Sequence, residues 1–140
     1  MGYLVEKKFT IPVGHRLSKH LKRCKNYHGH NFQLYVGVSS NTLNDNDMVI
    51  DFSDLKTIVN PIIDKWDHTL LLNKNDPIYN NNDLANEFRI IAFDFDPTAE
   101  KMAEILFKVL KLKLNESNVY LKLEYVTVFE NENSKVTYRE

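Results

Sequence analysis

Residues 32–39 alternate strictly: Phe32, Leu34, Val36 and Val38 share one parity, and Gln33, Tyr35, Gly37 and Ser39 the other. Successive side chains of a strand point to opposite faces, so this pattern demands an extended segment with one face in a core. A lone strand cannot satisfy its backbone groups, and the chain offers partners for it. Residues 3–11 carry Val5, Phe9 and Ile11 at odd positions, and residues 118–130 are rich in β-branched and aromatic side chains. Residues 135–139 read as a short final strand after a turn at Asn131–Ser134. Phe88–Phe93 reads either as a fifth, buried strand or as an extended approach to the next helix.

Elsewhere the apolar period lengthens to that of a helix. Leu55, Ile58, Val59, Ile62, Ile63 and Trp66 form one stripe, with Asp51 or Ser53 as its cap. Pro61 predicts a kink or break near Asn60. In a second helix Met102, Ile105, Leu106 and Val109 face the core, and Lys101, Glu104, Lys108 and Lys111 face away. Pro97 fits the first turn there, with Asp96 as cap. The expected architecture is an α+β domain over 1–140: an antiparallel four-stranded sheet with two helices on one face. Its open edges call for covering or pairing.

A hydrophobic fraction of 43% in 140 residues supports a core without disulfides, and the single cysteine, Cys24, permits no internal one. The net charge of −1 argues against an electrostatic nucleic-acid binder, despite the basic stretch Lys19, His20, Lys22, Arg23 and Lys25. No apolar run is long enough to span a membrane, and the first residues lack the apolar centre of a signal peptide. A soluble, cytoplasmic protein is expected.

The chemistry concentrates before the alternating strand. His28 and His30 share the parity of Phe32 and Leu34, which would point both imidazoles to one face, about 6.5 Å apart along a strand. Imidazoles so placed suit zinc; two half-buried histidines with ordinary hydrogen bonds fit the spacing as well. His15, near the end of the first strand, returns close to His28 if the two strands pair, and His20 competes for the same role. Three histidines with an open fourth position describe a catalytic zinc site. Cys24 would close such a site as a fourth ligand, act beside it as a thiolate favoured by Lys22, Arg23 and Lys25, or sit inert in a basic loop. Asp67-His68 fits a carboxylate-oriented proton shuttle, or a helix end and a turn cap. Glu100 and Glu130 fit a helix first turn and a strand end, or carboxylates that accept paired N–H donors of an amino-pyrimidinone ring.

In this order, His15-Arg16-Leu17, Cys24-x-x-x-His28-Gly29-His30, Met48-Val49-Ile50-Asp51-Phe52, Asp67-His68, Pro97-Thr98-Ala99-Glu100 and Glu130 resemble the 6-pyruvoyl-tetrahydropterin synthase family, which includes the 6-carboxytetrahydropterin synthases of queuosine biosynthesis. The resemblance implies a tunnelling fold, in which trimers close a barrel from subunit sheets and stack into hexamers, with active sites between subunits. It implies Zn2+ on His15, His28 and His30, and 7,8-dihydroneopterin triphosphate as substrate. Cys24 would be the general base, Asp67 and His68 would tune it or carry protons, and Glu130 would anchor the pterin ring with Glu100 and Thr98. Lys22, Arg23 or Arg16 would meet the triphosphate. The three residues between Cys24 and His28 resemble the carboxytetrahydropterin type, with the pyruvoyl type as the alternative. Val13-Gly14 and Asn131 depart from the residues usual in the family at those places. A zinc- or pterin-binding protein without turnover is the competing reading, with Cys24 as the closing ligand.

Overall fold

A computed structural model of the chain describes residues 2–19, 26–81, 86–87 and 89–140. Two long strands, β1 (Tyr3–His15) and β2 (His28–Ser40), pair antiparallel along their whole length, from Tyr3↔Ser40 to His15↔His28. They are followed by α1 (Phe52–Ile63), β3 (Leu70–Asn73), β4 (Ile90–Phe93), α2 (Ala99–Ser117), β5 (Lys122–Asn131) and β6 (Ser134–Tyr138). The sheet has six strands in the order β4-β3-β1-β2-β5-β6.

Six strands replace the expected four. β3 joins the end of β1 in parallel, and β4 joins β3 in parallel, so the sheet is mixed rather than antiparallel. Leu71, Leu72 and Asn73 are buried in succession, so β3 lacks the alternation that marks a half-exposed strand. Phe88–Phe93 resolves into a strand, β4, over its last four residues. β1 and β2 also reach further than their apolar alternation, and they carry the histidines at their joined end.

Phe9, Ile11 and Val13 of β1, Phe32, Leu34, Val36 and Val38 of β2, and Val126 and Val128 of β5 share one core with both helices. From α1 come Leu55, Val59, Ile62 and Ile63, and from α2 Met102, Ala103, Leu106, Phe107, Leu110 and Leu114. Val109 is exposed, because the buried stripe of α2 runs through Phe107 and Leu110 instead. Asp51 caps α1, accepting from Ser53 N. The helix runs through Pro61 without a break and ends two residues later, so the proline forgoes one hydrogen bond in a last turn already held by buried Ile62 and Ile63. Thr98, not Asp96, caps α2, and Pro97 precedes the cap. Among the described residues no helix is long and apolar enough to cross a membrane.

On the opposite face of the sheet the ring of Tyr125 lies across Gly37, its cross-strand partner, and the Tyr125 hydroxyl donates to Glu6. A Cβ on Gly37 would meet the ring at 2.4 Å. Gly37→Ala is therefore expected to destabilise the chain by about 1–3 kcal/mol, as overpacking does. Urea unfolding will show a lower midpoint with an unchanged slope, and the penalty should vanish in a Tyr125→Ala background.

Candidate metal centre

Three apolar stripes turn polar at the same end of the sheet. The inward-facing series Phe9, Ile11, Val13 of β1 continues with His15. The series Val36, Leu34, Phe32 of β2, read backwards, continues with His30 and His28. The series Val126, Val128 of β5 continues with Glu130. The antiparallel register sets Val13 opposite His30 and His15 opposite His28, so the imidazoles emerge on one face as neighbours.

The ring centroids of His15 and His28 are 4.4 Å apart, those of His28 and His30 4.9 Å, and those of His15 and His30 5.2 Å. One ligand atom from each of His15, His28, His30 and Glu130 lies within 4.8 Å of every other. His15 is fully buried, and its Nδ1 is 2.9 Å from the carbonyl of Pro97. His28 Nδ1 is 2.8 Å from the carbonyl of Asn26. A carbonyl only accepts, so Nδ1 carries the proton in both rings and Nε2 presents its lone pair. The Nε2 atoms of all three histidines are buried without a hydrogen-bond partner among the described residues. Glu130 Oε1 approaches His30 Nε2 to 2.9 Å and His15 Nε2 to 3.9 Å.

Buried polar atoms without hydrogen-bond partners are rare, and three that converge beside a carboxylate form a donor set that could hold a cation. Imidazole nitrogens with a carboxylate oxygen suit zinc and neighbouring divalent transition ions. The protonation states fit the same role. Burial lowers the His15 pKa, and the other two histidines push the same way, against the Pro97 carbonyl and Glu130. Burial also lowers that of His30, again opposed by Glu130.

The remaining sequence candidates are placed as follows. Cys24, His20, Lys22 and Arg23 lie outside the described residues. Asp67 and His68 occupy the turn between α1 and β3, and their side chains do meet: Asp67 Oδ1 is 2.7 Å from His68 Nδ1. The contact exists because His68 takes a left-handed backbone, φ 53°, pinned by its N–H to the carbonyl of Pro12. The His68 side chain is 78% exposed and outside the cluster. It lines a hollow of about 460 Å³ with Tyr27, His28, Ile78 and Arg89. Thr98 accepts from Lys101 N as helix cap, and Glu100 is exposed in the first turn of α2. Arg16 Nη1 donates to Asp76 Oδ1 and to the Tyr27 hydroxyl.

The resemblance implies a substrate-ring role for Glu130; the structure sets its carboxylate beside the three histidines, a placement that its parity with Val126 and Val128 signals. Asp96 was expected as a cap and instead accepts from Ser18 Oγ, Lys19 N and Asn73 Nδ2. Burial alone would raise its pKa, and these donors hold it below the usual carboxylate range.

A His15 pKa below its unfolded value of 6.5 means that the folded, metal-free chain binds fewer protons than the unfolded one below that pH. Stability should therefore fall as pH drops through 6.5. Thermal melts from pH 7.5 to 5 should show this loss, and His15→Asn should reduce it.

The sequence profile described as 6-pyruvoyl tetrahydropterin synthase matches residues 4–140. The 6-carboxy-5,6,7,8-tetrahydropterin synthase of Aquifex aeolicus is 32% identical in an alignment covering 100% of this chain and 99% of that protein. An uncharacterised protein of Wolinella succinogenes superposes with a TM-score of 0.85 at 19% identity, over 99% of this chain and 98% of the other. The 6-pyruvoyl tetrahydropterin synthase of Caenorhabditis elegans does so with a TM-score of 0.72 at 23% identity, over 100% and 96%. The last two establish a shared fold. The profile and the Aquifex relative establish kinship: the chain belongs to the 6-pyruvoyl tetrahydropterin synthase family of lyases.

Proposed function

We propose that the chain is a zinc-dependent lyase that converts 7,8-dihydroneopterin triphosphate to 6-carboxy-5,6,7,8-tetrahydropterin, as in queuosine biosynthesis. The observation that carries this reading is the convergence, beside Glu130, of three buried Nε2 atoms that have no hydrogen-bond partner among the described residues, at the joined end of β1 and β2. The name of the Aquifex aeolicus relative, which aligns along the whole chain, supports the choice of product.

In this reading His15, His28 and His30 hold Zn2+, which supplies Lewis acidity toward the side-chain oxygens of the substrate. Cys24 is the general base that removes the acidified carbon-bound protons. Asp67 fixes the Nδ1 proton of His68, leaving its Nε2 to take up and return protons. Glu130 accepts the paired N–H donors of the pterin ring, with Thr98 and Glu100 completing that edge. The sheet ends in two unpaired edges, β4 and β6, and the exposed dyad stands apart from the cluster of its own chain. Both features suit a trimer-based barrel, stacked as a hexamer, in which Asp67 and His68 serve a neighbour's metal. A cytoplasmic location fits this chemistry.

One observation favours a second reading. Glu130 Oε1 lies among the three nitrogens, and a fourth ligand there would close the centre as a structural zinc site without turnover. Turnover separates the two.

Zinc-loaded protein incubated with 7,8-dihydroneopterin triphosphate should yield 6-carboxytetrahydropterin and acetaldehyde by mass spectrometry. Cys24→Ala should lower the rate by about 10²–10⁴-fold with zinc retained. A 6-pyruvoyl product would move the assignment to the other branch of the family, and a zinc-bound but inert protein would favour the closed site. Zinc at a hundred times its Kd should stabilise the fold by about 2.7 kcal/mol, and His28→Ala should abolish that gain in a thermal melt.

A further inference from the structure

The last rung of the β1–β2 ladder is His15↔His28, and both residues are metal-ligand candidates. Strand ends fray, and two ligands on a terminal pair are poorly held unless something continues the ladder beyond them. In constant register the next pair is Arg16 and Tyr27, which lie outside both strands. Side chains join this pair instead. Arg16 Nη1 donates to the Tyr27 hydroxyl at 3.0 Å, and the guanidinium stacks on the Tyr27 ring at 5.0 Å from its centroid.

Both groups converge on one oxygen of Asp76. Arg16 Nη1 donates to Asp76 Oδ1 at 2.7 Å and the Tyr27 hydroxyl at 3.1 Å. Asp76 is itself held on several sides: it is fully buried, its Oδ1 also accepts from Ile78 N at 3.0 Å, and its own N–H donates to the Asn73 carbonyl. Its other oxygen, Oδ2, is buried without a partner among the described residues. A buried ion pair rarely adds much net stability, because desolvation offsets the Coulomb gain. Registration of two chain segments is the better-attested use of such a group, and the segments bridged here carry His15 and His28.

We propose that Asp76 is a positioning residue for the metal centre, acting through Arg16 and Tyr27 as a side-chain rung that holds His15 and His28 in register. On the β1 side, Asp96 accepts from Ser18 Oγ and Lys19 N just beyond Arg16. The proposal rests on the reading of the cluster as a metal site, and goes beyond it by assigning a residue remote in sequence from every ligand.

The test is zinc affinity by competition with a chromophoric chelator, on the full chain. Asp76→Leu should weaken binding by about 10–100-fold, the range for groups that orient metal ligands. Tyr27→Phe, which leaves every charge in place and alters a partly exposed side chain, should weaken it at least threefold. Leu114→Ala, a core truncation at the far end of α2, should lower the thermal midpoint and leave zinc affinity unchanged. Wild-type affinity in Tyr27→Phe and in any folded Asp76→Leu would overturn the proposal. So would an equal loss of affinity in Leu114→Ala, which would mark the effect as general destabilisation. A wild-type chain that binds no zinc would overturn the metal reading and this proposal with it.

Discussion

The antiparallel pairing of β1 with β2 is the constraint on which everything else depends. It runs unbroken from Tyr3↔Ser40 to His15↔His28, and one parity on each strand enters the core. A slip of one residue would turn every inward side chain outward and scatter the histidines to both faces. The register that buries Phe9 against Leu34 therefore also places His15 against His28. Core packing and the histidine cluster are two readings of one hydrogen-bond ladder, which is why the three imidazoles need no dedicated loop to bring them together.

That economy carries a physical cost, because the stripe that turns polar does so inside the protein. His15 is as inaccessible as the leucines beside it. The chain meets this by giving the inner nitrogens of His15 and His28 backbone carbonyls to bond, from Pro97 and Asn26. The Nε2 atoms of the three histidines are left without a hydrogen-bond partner among the described residues, and they converge with one another and with Glu130. Pro97 thereby ties the start of α2 to the most buried of the three histidines. The helix cap at Thr98 and the exposed Glu100 lie within three residues of that tie.

How much of this was legible in the sequence depended on whether the signal was local. The parity of His28 and His30 with Phe32 and Leu34 is visible in one strand, and the structure sets both imidazoles on one face, as that parity predicts. His15 needed only the assumption of a hairpin-like pairing. Glu130 has the same local signature beside Val126 and Val128, but its place beside the histidines is not legible locally, because nothing local shows which strands lie side by side. β3 escaped because four residues packed from both sides do not alternate. The cap at Thr98 was displaced by a habit of Pro97, which serves before a cap as readily as after one. Asp76 had no local signature at all, since its partners lie 60 and 49 residues away. Contacts of that range are created by the fold.

The chain's single tryptophan belongs to the turn that presents Asp67 and His68. Trp66 is buried, edge-on to Phe93 at 5.9 Å, and its carbonyl accepts from both the N–H and the hydroxyl of Thr69. Its indole thus touches β4 while its backbone forms the turn. The protein in this way carries an intrinsic fluorophore at the one place where a left-handed residue displays an exposed imidazole. Its emission wavelength and quenching would report the docking of β4 and the seating of that turn, with no competing indole elsewhere in the chain to blur the reading.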